Sequence, residues 1–68
     1  MKIELAKDKD GYTAKVSGRK HLVAFGYSKL EALEELAGVV ELELESELEI
    51  RQIEKKIDEY VNKLEQDD

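Results

Sequence analysis

Between Gly26 and Leu33 the chain reads Gly-Tyr-Ser-Lys-Leu-Glu-Ala-Leu, and the apolar residues follow different periods on either side of that stretch. Before it they alternate, the period of two that a half-buried strand needs. After it they recur every three or four residues, as on one face of a helix. Ser28 followed by Glu31 is a capping box: the hydroxyl accepts from a backbone N–H in the first turn, and the glutamate reaches back to another. Strands followed by helix, in that order, place the chain in the α+β class.

The strand half divides into three segments. In Lys2 to Ala6, Ile3 and Leu5 share one face and Lys2 and Glu4 the other. Lys7 to Gly11 is a turn, because Asp-Gly suits a hairpin in which glycine takes positive φ without a Cβ clash. Tyr12, Ala14 and Val16 then face one way, and Thr13 and Lys15 the other. Ser17-Gly18-Arg19-Lys20 makes a second turn. His21 to Phe25 is almost continuously apolar, the pattern of a strand covered on both faces, and is expected to be the most buried of the three. Leu22 and Ala24 face one way and Val23 and Phe25 the other, so one sheet face can take the helix while the second needs another cover, which a partner chain would supply.

Leu33, Leu36, Ala37, Val40 and Leu44 form a helical stripe, so a helix is expected from Ser28 to about Glu45. Gly38 opens an alternative, since a helix ending there would leave Val40, Leu42 and Leu44 alternating with Glu41, Glu43 and Glu45 as a fourth strand over 39–45. Ser46 and Glu49 form a second capping box. Ile50, Ile53, Ile57, Tyr60 and Leu64 follow at spacings of three and four, predicting a second amphipathic helix from Glu47 to about Gln66. Asp67 and Asp68 sit beside its negative dipole end, where fraying is expected. The isoleucine series suits either a core-facing stripe or a seam for self-association. The chain thus divides into a β-β-β-α unit, 1–46, and an acidic helix, 47–68, which belongs to the same compact unit or acts as a dimerisation element.

A chain of 68 residues has a marginal core. Homo-oligomerisation is the expected remedy, with Val23, Phe25, Ile50, Ile53, Ile57, Tyr60 and Leu64 as the candidate interface. Without cysteine and with a single histidine there is no thiolate or multi-histidine metal site, so no cofactor and no metal are expected. Charges interrupt every apolar pair near the N-terminus, which fits neither a signal peptide nor a membrane span, and a cytoplasmic setting is expected. Residues 1–39 carry a net +1 and residues 40–68 a net −7, giving the chain's −6. The second half would repel nucleic acid and attract a basic protein.

No catalytic constellation stands out. Asp8-x-Asp10-Gly11 has part of a calcium loop's spacing, but Tyr12 takes the third oxygen position, and a hairpin turn is the better reading. His21 has no residue in the sequence to orient it as an acid or base. Lys15, Arg19, Lys20, Phe25 and Tyr27 are the candidate partner-binding residues, and a weak platform for single-stranded RNA would use the same five.

From Met1 to about Glu45 the chain resembles the HicB-type antitoxin fold. The resemblance rests on Gly11, Tyr12, Ala14 and Val16, on Gly18, on Val23 to Gly26, and on Ser28, Glu31, Ala32, Leu33 and Leu36 with Val40 to Leu42, Leu44 and Glu45. It implies a cut-down RNase H-like fold, lacking that fold's catalytic carboxylates, that covers a small basic mRNA-cleaving toxin, HicA, and blocks its active site. On that reading the protein is not an enzyme. Longer members carry a C-terminal DNA-binding module; nothing after Ser46 matches one, so DNA binding is not expected. Ser17 to Leu22 also replaces the family's Pro-Gly-x-Pro-Gly-Cys-like stretch and keeps only Gly18. A homo-oligomeric structural module of the same fold, without a toxin, is the alternative.

Overall fold

A computed structural model describes residues 2–66. The expectation for Asp67 and Asp68 lies outside that range. Strands β1 (Ile3–Lys7), β2 (Tyr12–Val16) and β3 (Arg19–Gly26) are followed by helices α1 (Lys29–Glu43) and α2 (Glu47–Gln66). The strands form one antiparallel sheet in the order β1-β2-β3. The α+β class, the three-stranded sheet and both helices are therefore as the sequence predicts.

Alternation decides which face is covered. Leu5, Ala14 and Ala24 lie opposite one another across the three strands, as do Ile3 and Val16, and all of them face the helices. Leu22 joins them at zero exposure. α1 contributes Ala32, Leu33, Leu36 and Val40, and α2 contributes Ile53 and Ile57, to the same fully enclosed cluster. Ile50, Tyr60 and Leu64 pack partly buried around it. The isoleucine stripe is thus a core stripe, and Ile53 and Ile57 are corrected from candidate interface to core: at 0% and 3% exposure they leave no surface for a second chain. α2 belongs to the same compact unit as residues 1–46.

Local chemistry explains the helix ends. Ser28 is extended (φ −132°, ψ 165°) and its Oγ accepts from the Glu31 N–H at 3.1 Å. Glu31 Oε1 accepts from the Tyr27 N–H at 3.0 Å, so the reciprocal bond reaches one residue further back than the usual capping box. Ser46 Oγ similarly accepts from the Glu49 N–H at 3.3 Å. α1 passes through Gly38 and ends at Glu43, with Leu44 extended and its N–H bonded to Val40 O. No strand forms over 39–45. Val40 explains the outcome, because only helix periodicity puts it in line with Leu33 and Leu36, and it is fully enclosed there.

The third strand differs most from expectation. Val23 and Phe25 are each 42% exposed, so β3 is buried on one face rather than two. Its hairpin to β2 is also tighter, with only Ser17 and Gly18 between paired Val16 and Arg19, and Gly18 at φ +81°. Lys15 pairs with Val23 while Val16 pairs with Arg19, an irregularity that places extra residues on the β3 side.

Two glycines make opposite demands on the fold. A Cβ at Gly26 would fall 2.7 Å from Ala32 Cα and closer still to Ala32 N, backbone that cannot move without separating β3 from α1. A Cβ at Gly38 would meet nothing within 4 Å. Gly26→Ala is therefore expected to destabilise the protein by about 1–3 kcal/mol, the usual cost of overpacking. Gly38→Ala should stabilise it by about 0.5–1 kcal/mol by removing unfolded-state entropy from a helix interior. Urea denaturation of the two variants checks the opposite signs.

Candidate functional site

The uncovered face of the sheet follows from the register. Glu4, Lys15 and Val23 form one cross-strand row, and Ala6, Thr13 and Phe25 the next. Lys15 Nζ lies 3.8 Å from Glu4 Oε1, an exposed pair contributing at most about 1 kcal/mol. The adjacent Val23 and Phe25 give the face its apolar character. Tyr27, just past the end of β3, sets its ring edge-on to Phe25 at 5.4 Å between centroids and 80° between planes, and is 74% exposed. Three strands of five or so residues offer a platform of roughly 14 by 17 Å. That is smaller than the roughly 800 Å² each partner contributes to an ordinary protein interface, so any partner must also use the flanks.

Lys15, Val23, Phe25 and Tyr27 are brought together as one patch. Arg19 is not part of it. A strict period of two counted back from Phe25 would put Arg19 on the open face, but the irregularity beside Val16 breaks that count. Paired with Val16, Arg19 shares the helix-side face and makes an ion pair with Glu49 at the start of α2. Lys20 is exposed beside the turn, several residues along the strand from Phe25. Of the five-residue platform expected from sequence, Lys15, Phe25 and Tyr27 share the patch, with one cation neutralised on the far side and one displaced. Glu49, read from sequence only as a capping residue, ties the β2–β3 hairpin to α2 through Arg19; no local signal links residues 30 positions apart.

The helix layer on the opposite side is acidic. Glu54 of α2 meets Glu41 of α1, and its carboxyl is held above its ordinary value of 4.5 by a hydrogen bond shared with Glu41, then by desolvation, and then by repulsion from Glu41 and Asp58. Among the described residues, no group of three or more His, Cys, Asp and Glu side chains is placed to hold a metal ion. No helix there is long and apolar enough to cross a membrane.

Because the folded-state value of Glu54 lies above the unfolded one, the folded state binds its proton more tightly. The group therefore costs stability at neutral pH, and the cost disappears as pH falls through the folded value towards 4.5. Glu54→Gln is expected to raise stability at pH 7 by about 0.2–0.5 kcal/mol, the scale of a like-charge pair on a helix surface. It should also remove the gain expected from protonating Glu54 between neutral pH and pH 4.5, measured by denaturation at each pH.

Set against known proteins, the chain matches no family model, no curated protein and no solved structure.

Proposed function

We propose that the chain is a small protein-binding module of antitoxin type, which neutralises a basic HicA-type mRNA-cleaving toxin by covering its active site. The observation that carries this reading is the open sheet face, where Val23, Phe25 and Tyr27 present apolar and aromatic surface with no cover from either helix. Aromatic anchors of this kind commonly dominate interface energetics. The net charge of −6 adds long-range attraction for a basic partner. Most of the acidic residues lie on the helices, on the far side of the sheet, so their role is to steer the encounter rather than to make contacts.

A homo-oligomeric module is the second reading, and the Glu4–Lys15 pair favours it. A face whose charges cancel can meet a second copy without the repulsion that the acidic helices would cause. Binding of single-stranded RNA loses support, because Arg19 is paired with Glu49 and Lys15 with Glu4. Deleting α2 would not separate these readings, since it removes Ile53 and Ile57 from the core.

Point substitution on the open face does separate them. Phe25→Glu puts a charge at a half-exposed position that the core does not need. With a HicA-type toxin, wild-type protein is expected to form a complex and restore growth on co-expression. The variant should remain folded and lose at least about 2 kcal/mol of affinity, the scale of an interface hot spot. Undiminished binding by folded Phe25→Glu, or no complex with a basic ribonuclease at all, would overturn the reading. Sedimentation without the toxin tests the second reading, which requires a wild-type oligomer that Phe25→Glu dissociates.

A further inference from the structure

β1 is an edge strand, and the phase of its ladder shows which backbone groups are unused. Ser17 N–H bonds to Lys2 C=O, and Asp8 N–H bonds to Gly11 C=O. In the β1–β2 register these are the hydrogen-bonded pairs, so by alternation Glu4 and Ala6 also bond towards β2. Ile3, Leu5 and Lys7 therefore turn their N–H and C=O groups to the free edge, a template on which another strand can pair.

A groove of about 520 Å³ meets this edge at Ile3 and is walled by the start of α1 and by α2, with Ile3, Tyr60 and Leu64 as its apolar lining. Lys2, Lys29, Lys56 and Lys63 border it against a single carboxylate, Glu59, a local charge of +3 in a chain of net −6. Among the described residues the ion pairs are Lys15–Glu4 and Arg19–Glu49, and none of these four lysines takes part in one. Lys56 and Lys63 are seven residues apart, which places them roughly 10 Å apart along the axis of α2. Same-face side chains of an extended strand recur about every 6.8 Å, so two to three of them span that distance. An isolated phosphate would reach only part of so extended a row, and a long nucleic-acid strand would meet the negative field of the remaining surface.

We propose that the β1 edge and this groove bind an extended acidic peptide by strand addition. Its backbone pairs with Ile3, Leu5 and Lys7, and its alternate Asp or Glu side chains lie along the lysines of the groove. The site is separate from the open sheet face and does not depend on the antitoxin reading.

A synthetic hexapeptide alternating Glu and Thr is a direct probe, titrated into the full chain and followed by amide resonances and hydrogen exchange. Slowed exchange at the amides of Ile3, Leu5 and Lys7 is expected on binding. Lys56→Glu combined with Lys63→Glu changes only exposed helix positions and should weaken binding about tenfold, a loss of 1.4 kcal/mol, with helical circular dichroism unchanged. Lys7→Pro, which removes an edge N–H, should weaken it as well. The proposal is overturned if the peptide does not bind, or if a Lys-Thr peptide binds equally well. Perturbation centred on Val23 and Phe25, or insensitivity to the double charge reversal, would also overturn it. So would equally tight binding of a single-stranded RNA of the same length.

Discussion

Enclosure of Ile53 and Ile57 in the same cluster as Leu36, Val40 and the inward side of the sheet is the contact on which the remaining architecture depends. A domain of this size has a total stability of about 3–10 kcal/mol at typical values per residue. Burying one isoleucine contributes about 1.5–3 kcal/mol of that. Without α2 the sheet would keep one helix over three strands, and the core would lose Ile53 and Ile57. With α2 docked, a single layer of helices covers one side, enclosing Ala14, Val16 and Leu22 fully and Ile3, Leu5, Tyr12 and Ala24 in part. Among the described residues no element is then left for the other side.

That asymmetry is why the surfaces proposed for binding lie on the sheet rather than on the helices. The helices present exposed Glu, Lys and Asp, a solvated surface of net negative charge. The sheet presents two short rows in which Glu4 and Lys15 balance and Val23 and Phe25 are covered by neither helix. The edge of β1, bordered by lysines that escape the general acidity, is a second unpartnered surface with the opposite electrostatic preference. A single 68-residue chain thus offers an apolar face and a cationic strand edge, suited to different occupants.

Much of this was legible in the residues, because period-two and helix-period patterns meet so sharply at Gly26 to Leu33. The strand faces at Ile3, Leu5, Ala14 and Val16 and the serine caps follow from that patterning, whereas the exposure of Val23 and Phe25 does not, because an apolar run reads alike whether one face or both are covered. The isoleucine stripe was ambiguous for a physical reason: the same three-four spacing serves an intramolecular core and a seam between chains, and only the position of α2 decides. Arg19 was misplaced because a strand irregularity beside Val16 reverses which face it takes, and nothing in its neighbours announces that. The fate of 39–45 depended on Val40, whose place in the core outweighs the alternation of Leu42 and Leu44 with glutamates.

The chain contains no cysteine, so single substitutions give uniquely addressable thiols. The rate of thiol labelling under native conditions at Val23→Cys, Phe25→Cys and Ile57→Cys measures which side of the sheet its own chain closes. Rapid labelling at 23 and 25, with strong protection at 57, is the expected result. Protection at 23 and 25 at dilutions where the chain is monomeric, with rapid labelling at 57, would contradict a sheet closed by α2 on one side and left open on the other.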